Sequence, residues 1–229
     1  MIPPVLQKTE PEATTLTIWD EIDARMSGMS PDRLPEIDAD KIACQQILEE
    51  DHSVFSIQWV VIPGVSPGTI SSASLLDRYL RYIQHCTAGI IRPVQTTAGV
   101  EFRLLTSSWA LIQFLPPRHT PDAAGERTIL NISGGLLVDK QECDRGQLEF
   151  IVEEIAAGSR LTLKLADYCP LLLGSRKPSL WRKWLYRFTQ ASIHKVVTVN
   201  FLAMVYRSIT GKPVRRGVVT IVVRKGITT

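Results

Sequence analysis

The residue types that most often do chemistry in proteins are sparse in this chain and far apart in its sequence. The four histidines are His52, His85, His119 and His194. No two of them have the H-x-x-x-H spacing, and none has the H-x-E spacing, that places metal ligands within reach of one another. The sequence therefore predicts no metal site, and no motif in it indicates a cofactor.

Residues 64–68, GVSPG, match the G-x-S-x-G motif that carries the nucleophilic serine of α/β-hydrolases. The segment also lies between a predicted strand and a predicted helix, as that motif does. However, the oxyanion hole of those enzymes uses the backbone N–H of the residue after the serine. Here that residue is Pro67, which has no N–H. We therefore interpret the five residues as a turn built from proline and glycine.

The four cysteines, at positions 44, 86, 143 and 169, form no C-x-x-C pair. The first 15 residues do not have the pattern of a secretory signal. The most apolar run, residues 196–206, is shorter than the roughly 20 residues that a membrane span needs. We therefore expect reduced cysteines and a cytoplasmic protein, with peripheral contact to a membrane as an alternative.

Charged side chains are distributed unevenly, although the net charge of the chain is only +3. Residues 1–58 have 12 acidic and 4 basic side chains, a net charge of −8. Residues 171–229 have 12 basic side chains and no acidic one. This asymmetry indicates either a contact between the two ends of the chain or an anionic partner.

An apolar content of 45% in 229 residues predicts one folded domain, residues 14–229, after a disordered tail at residues 1–13. Within it, residues 14–52 are predicted to be helical, with a helix that begins at Asp38 or Asp40 and ends near Glu50. Residues 89–172 are predicted to be nearly all β. The clearest local patterns are residues 54–62 (strand), 74–86 (helix), 147–155 with 159–168 (hairpin), 180–210 (long helix) and 218–223 (strand).

The order of these elements carries a resemblance, through residues 147–168, QLEFIVEEIAAGSRLTLKLADY, and residues 178–197, PSLWRKWLYRFTQASIHKVV. A hairpin followed by one long amphipathic helix resembles the START-like (SRPBCC, helix-grip) superfamily. The resemblance implies an α+β fold in which a curved antiparallel sheet packs on a long C-terminal helix, here with a helical N-terminal segment. It also implies an apolar cavity between them, because members of the superfamily bind lipids, sterols, polyketides or other hydrophobic molecules.

Seven residues are candidates for contact with a ligand in such a cavity. His194 lies on the predicted long helix, where an imidazole can carry a proton or donate a hydrogen bond. Asp167 and Tyr168 at the end of a strand are candidate polar partners, and Arg187 is a further ionisable candidate. The apolar candidates are Trp59, Trp109 and Phe114, for each of which packing in the core is the alternative.

A second candidate site is the basic and aromatic segment at residues 176–187, which contains Trp181 and Trp184. Its anion-binding candidates are Arg176, Lys177, Arg182 and Lys183. Arg182 and Lys183 fall in the first turn of the predicted helix, where the helix dipole disfavours cations. The pattern therefore favours contact with an anion, and a membrane surface fits it better than nucleic acid does. Pairing with the acidic N-terminal segment is the alternative.

Three functions follow from these patterns. The first is binding of a hydrophobic small molecule or lipid in a cavity between sheet and long helix. The second is an enzyme on the same scaffold, a cyclase, lyase or hydrolase, which requires two ionisable groups to meet in the cavity. The third is a peripheral membrane or anion-binding module that uses residues 176–187. The sequence does not decide whether the protein is an enzyme, and no catalytic residue is assigned.

Overall fold

The structure is a computed structural model, and it describes residues 34–65, 68–122, 125–139, 145–171, 192–214, 218–224 and 227–228. Contacts between residues divide the chain into two compact units, Met1–Pro35 and Glu36–Thr229. The described strands and helices all belong to the second unit. The predicted disordered tail at residues 1–13 and the first part, residues 14–33, of the segment predicted to be helical lie outside the described residues.

Eleven strands and two helices make up the described part of this unit. In chain order they are β1 (Ile42–Leu48), β2 (Val54–Pro63), α1 (Ser72–Cys86), β3 (Ile91–Thr96), β4 (Gly99–Leu104), β5 (Ala110–Phe114), β6 (Arg118–Asp122), β7 (Gly125–Gly134), β8 (Gln147–Ile155), β9 (Gly158–Tyr168), α2 (Ser192–Thr210), β10 (Val218–Thr220) and β11 (Ile227–Thr228). The strands form one sheet in the order β10-β1-β2-β9-β8-β7-β5-β4-β3, with β11 paired to β1 and β6 paired to β7.

The predicted fold class, a curved antiparallel sheet on one long C-terminal helix with a helical N-terminal segment, is wrong. The structure is a large mixed sheet, because β10 pairs with β1 in the parallel direction. In the described part of the chain, two helices accompany the sheet, and α2 is described only from Ser192 onward. The helix predicted from Asp38 or Asp40 to Glu50 is absent from the described residues, where strand β1 occupies Ile42–Leu48 instead.

The error at β1 has a physical cause. All seven residues of the strand are buried, so neither face is left to solvent and the apolar–polar alternation of a half-exposed strand is missing. Gln45 is buried because its side chain bonds the distant backbone of the C-terminal segment. Its Nε2 donates to the Arg224 carbonyl at 2.6 Å, and its Oε1 accepts from the Val223 N–H at 2.6 Å. Local sequence does not reveal a partner almost 180 residues away.

Other local predictions are confirmed. Residues 54–62 are a strand, and β8 and β9 form the predicted hairpin around Ala156 and Ala157. The predicted helix at residues 74–86 is α1, which begins slightly earlier because Ser71 caps it. The Ser71 hydroxyl oxygen accepts a hydrogen bond from the Ser74 N–H, and the Ser74 hydroxyl oxygen accepts one from the Ser71 N–H.

Helix α2 ends at Thr210, as the sequence predicts, and the next residue, Gly211, has a φ of 68° in the left-handed region that favours glycine. Its buried face includes Thr198, Phe201 and Leu202. The Phe201 ring meets the Tyr79 ring of α1 edge-on, with centroids 5.1 Å apart. The same tyrosine meets Phe150 of β8 at 5.3 Å, so one aromatic cluster joins both helices to the sheet.

Two further expectations from the sequence have outcomes in the structure. Cys44 and Cys86 have free thiols, but Cys169 is disulfide-bonded, so the expectation that every cysteine is reduced is wrong for Cys169. Neither described helix combines the length and the hydrophobicity that crossing a bilayer requires.

Candidate functional site

A cavity of about 220 Å³ lies between one face of the sheet and the two helices. Helix α1 contributes Tyr79 and Ile83 to its wall, and α2 contributes His194 and Val197. The remaining wall comes largely from apolar residues of seven strands, among them Val54, Phe102, Ile112, Phe114, Ile132, Leu148 and Leu165. Most of these side chains belong to the hydrophobic core of the unit, so the cavity borders the core and is partly open.

An irregularity in β9 shapes one wall of the cavity. Along the β2–β9 ladder, Ser56 is opposite Leu165 but Val54 is opposite Tyr168, so β9 has one residue more than β2 over this stretch. Such a bulge shifts the alternation of side chains by one position. Leu165 and Tyr168 can therefore both line the cavity, although a regular strand would place them on opposite faces. Asp167 lies within the bulge with a φ of 52°.

Few polar side chains reach the cavity, and two of them bond to nearby backbone carbonyl groups. The Thr87 hydroxyl donates to the Ile83 carbonyl at 2.7 Å, and the Tyr168 hydroxyl donates to the Leu137 carbonyl at 2.9 Å. Burial raises the pKa values of Tyr79 and Tyr168, so both hydroxyls are protonated at neutral pH. Gln46 and His194 supply the remaining polar side chains of the described wall.

His194 is the group in the wall whose protonation responds to mild acid. Burial lowers its pKa to about 4, because a charged imidazolium loses hydration in this apolar setting. The side chain is therefore neutral at physiological pH, and it can donate one hydrogen bond and accept another. Among the described wall residues, Tyr79 and Tyr168 are the other titratable groups.

We expect His194→Gln to reduce the loss of stability that acid causes. The unfolded chain binds a proton at His194 with an ordinary pKa of about 6.5, and the folded chain does so only near pH 4. Between these values the unfolded state holds more protons, so the free energy of unfolding of the wild type falls as the pH drops. The contribution is up to about 3 kcal/mol, and partial exposure of the side chain reduces it.

Urea titrations at pH 7 and at pH 4.5 measure this effect. His85→Gln is the control, because His85 is exposed at the C-terminal end of α1 and does not line the cavity. The control should keep the wild-type difference between the two pH values. If the free energy of unfolding of His194→Gln falls between pH 7 and pH 4.5 as much as that of the wild type, the lowered pKa of His194 is contradicted.

The structure brings together three of the residues predicted to contact a ligand. Phe114, Tyr168 and His194 all line the cavity, but Trp59, Trp109 and Asp167 do not. Trp59 is completely buried. Side chains along β2 point to alternate faces of the sheet, and Val54 and Gln58 share one face. Trp59 therefore points to the face opposite Val54, which lines the cavity. Trp109 is 64% exposed in the β4–β5 turn. The other predicted residues, Arg187 and the anion-binding Arg176, Lys177, Arg182 and Lys183, lie outside the described residues.

Sequence reasoning missed several wall residues. Gln46 was assigned to a helix because the pattern around it has no alternation, and a glutamine in that setting has no functional signature. Tyr79 and Ile83 lie within the helix predicted at residues 74–86, where apolar spacing indicates packing and not contact with a ligand. The available signal was the tyrosine itself, because a buried Tyr needs a polar environment for its hydroxyl.

A second, open groove of about 960 Å³ lies at the start of α1 and beside β6 and β7. Beneath its surface, the buried Thr128 hydroxyl lies 2.8 Å from both Ser72 Oγ and His119 Nδ1. The Glu126 carboxylate accepts from the Ser72 N–H, so a side chain of the protein already occupies the positive end of the helix. Because Ser72 and Thr128 are buried and bonded to each other, neither is an available nucleophile in this arrangement.

Within the described residues, no three His, Cys, Asp or Glu side chains lie close enough together to hold a metal ion. Comparison with known proteins adds no assignment: no protein family model, no curated protein and no solved structure matches the chain.

Proposed function

We propose that this protein binds a small, neutral and largely apolar molecule in the cavity between the sheet and the two helices. The observation that carries the proposal is the composition of the wall, which is apolar apart from two tyrosines, a threonine, Gln46 and His194. Ligand sites are commonly apolar cavities with a few polar groups that orient the ligand.

The volume of the cavity limits the size of the ligand. An apolar cavity of about 150 Å³ is large enough for benzene. The cavity here, at about 220 Å³, is therefore suited to one substituted aromatic ring or a short aliphatic chain. Sterols and phospholipids, which the START-like resemblance includes, are too large for this volume. That resemblance itself stays a prediction.

The charges around the cavity limit the chemistry of the ligand. The described wall has no Asp, Glu, Lys or Arg side chain. A buried carboxylate or ammonium without a partner costs several kcal/mol, so an ionised ligand is disfavoured. A hydroxyl or a carbonyl group, in contrast, can bond with the neutral His194 imidazole.

The hydrogen bonding of the ionisable groups in the wall favours binding over catalysis. An enzyme in this cavity would need two converging ionisable groups, and His194 and Tyr168 are the two predicted candidates that line it. Tyr168 donates its hydroxyl proton to the Leu137 carbonyl, and burial raises its pKa. It is therefore a poor proton donor to a substrate.

Isothermal titration calorimetry of the full chain tests the proposal with probes matched in size or charge. We expect ethylbenzene and 4-ethylphenol to bind at one site per chain. Benzoate has nearly the same size but is charged, and cholesterol is neutral but too large, so neither should bind. Failure of both neutral probes to bind, or equal binding of benzoate, would remove the basis of the proposal.

A further inference from the structure

One side of strand β6 has no partner among the described strands. The strand pairs with β7 along Arg118–Asp122, and no other described strand pairs with it. An unpaired strand edge presents peptide N–H and C=O groups to which another extended chain can bond. His119, Thr120 and Pro121 of this strand also line the open groove of about 960 Å³, so the free edge and the groove adjoin.

The direction of the peptide groups in β7 determines which groups of β6 are free. The Leu115 N–H, just before β6, donates to the Asn131 carbonyl at 2.9 Å, so the Asn131 peptide groups face the β6 side. The next residue, Ile132, faces the other way, because its N–H donates to the Gly146 carbonyl at 2.7 Å, beside β8. Since these directions alternate along a strand, the odd-numbered residues of β7 bond to β6.

Two residues of β6 therefore point their peptide groups away from β7. In the ladder, the odd-numbered residues of β7 lie opposite Arg118 and Thr120, whose peptide groups bond to β7. His119 and Pro121 lie opposite even-numbered residues, so their peptide groups face outward. The free edge thus presents the N–H and C=O of His119 and the C=O of Pro121, which has no N–H.

Strand β3 lies at one end of the described strand order, but the polar groups of its outer edge are less available. The Ile91 N–H donates to the Thr87 hydroxyl at 3.1 Å, and that hydroxyl lies 3.4 Å from the Ile91 carbonyl oxygen. Pro93, two residues further on, faces the same way and has no N–H. Addition of a strand is therefore favoured at β6 over β3.

A chain that pairs with β6 places alternate side chains over the groove. Residues opposite each other in a ladder have their side chains on the same face of the sheet. The His119 side chain is on the α1 face, because its Nδ1 lies 2.8 Å from the Thr128 hydroxyl, which in turn bonds with Ser72 of α1. Residues of an added strand opposite His119 and Pro121 therefore direct their side chains to this face.

The charges of the groove favour a basic side chain there. Its lining includes three carboxylates and one guanidinium, those of Glu126, Glu153, Glu154 and Arg127. The Arg127 guanidinium lies 3.3 Å from the Glu149 carboxylate, and Glu153 lies 2.8 Å from a guanidinium of β9. Glu126 and Glu154 have no ion pair among the described residues, so an added Lys or Arg can neutralise them.

We propose that β6 binds a short extended peptide, antiparallel to it, with a Lys or Arg side chain in the groove. The peptide residue opposite His119 exchanges two backbone hydrogen bonds with it. The residue opposite Pro121 donates its N–H to the Pro121 carbonyl and directs a basic side chain toward Glu126. The chain has a net charge of +3, so attraction of a cation here is a local property. The groove shares no lining residue with the cavity, and this binding does not depend on a ligand there.

Fluorescence anisotropy of the full chain with labelled hexapeptides tests the proposal. The probe alternates valine and lysine, and the reference peptide has glutamine in place of each lysine. We expect the lysine peptide to bind one site per chain, at least tenfold more tightly than the glutamine peptide, because its ammonium groups bond to carboxylates. High salt should reduce the difference. No binding of the lysine peptide, or equal binding of both peptides, overturns the proposal.

Glu126→Gln combined with Glu154→Gln should weaken binding of the lysine peptide at least tenfold. The matched control is Glu50→Gln combined with Asp77→Asn, which removes the same charge at two exposed positions outside the groove. The control should bind the peptide as the wild type does. Equal loss in the two double variants would show a general attraction between charges and would overturn the proposal.

The backbone contact has a separate test. His119→Pro removes the outward N–H, whereas His119→Ala removes the same side chain and keeps that N–H. The proline variant should bind the lysine peptide at least tenfold more weakly than the alanine variant, and thermal unfolding checks that both are folded. A lysine peptide with N-methylated valines and lysines gives the same test on the wild-type protein, because it cannot donate to β6, and it should not bind. Unchanged binding of the methylated peptide would contradict strand addition.

Discussion

Replacing Val197 with tryptophan is expected to weaken the binding of ethylbenzene or 4-ethylphenol at least tenfold. Val197 lies on α2 and its side chain lines the cavity three residues after His194. An indole at this position extends into the space that the ligand would occupy. Because the cavity accepts the added atoms, the free energy of unfolding should stay near that of the wild type or rise, instead of showing the loss of about 1–3 kcal/mol typical of overpacked cores.

The adjacent residue provides the control for this substitution. Val196 is 56% exposed and does not line the cavity, so Val196→Trp introduces the same side chain on the same helix away from the site. Calorimetry should show wild-type affinity for this control. If Val197→Trp binds the probes as the wild type does, the ligand does not occupy the cavity, even if it binds the protein elsewhere.

Phe201→Ala is expected to lower the free energy of unfolding by about 3–5 kcal/mol. Phe201 is completely buried, and its ring contacts Tyr79 at 5.1 Å and Tyr82 at 5.5 Å between centroids. Removing it leaves a void between α1 and α2, and the two edge or tilted aromatic contacts are lost with it. For a domain of about 200 residues, such a loss lowers the unfolding temperature by roughly 10 °C.

Met204→Ala is the matched control, because Met204 lies one turn further along α2 and is 41% exposed. Its effect should remain within about 0.5 kcal/mol, as is usual for surface positions. Urea unfolding of both variants gives the comparison. Equal losses in the two variants would show that α2 itself, and not the packing of Phe201 between the helices, limits stability.

The two substitutions act on the same helix through different properties. Val197→Trp changes the space inside the cavity and leaves the contact between the helices intact. Phe201→Ala weakens the contact that keeps α2, and therefore His194, over the sheet. Loss of ligand binding in Val197→Trp without loss of stability would thus separate occupation of the cavity from integrity of the fold.

Local structure was predictable where the signal is contained in neighbouring residues. The hairpin of β8 and β9 has alternating apolar residues on both arms and a glycine beside the turn, and the structure contains it. Helix α1 has apolar residues at helical spacing and serines at its start, and Gly211 marks the end of α2. Strand β1 was not predictable in this way, because its seven buried residues lack a polar face.

The residues of the candidate site also divide into those that local sequence reveals and those that it does not. Tyr168 was identified from its chemical type at the end of a predicted strand, and His194 from its chemical type on the predicted long helix. The presence of Gln46 in the cavity wall and the absence of Asp167 from it were not predictable, because both depend on how the strands pair. The register of β2 with β9 places a bulge at Asp167, and this bulge brings Leu165 and Tyr168 to one face.

By itself, the sequence determined the apolar content, the basic C-terminal third, the β8–β9 hairpin, α1 and the end of α2, since each depends on residues close together in the chain. The tertiary structure decided the mixed sheet and the cavity. These features arise from contacts between distant segments, such as the bonds from Gln45 to Val223 and Arg224. Burial and strand register depend on the sum of such contacts, and no local pattern of residue types encodes that sum.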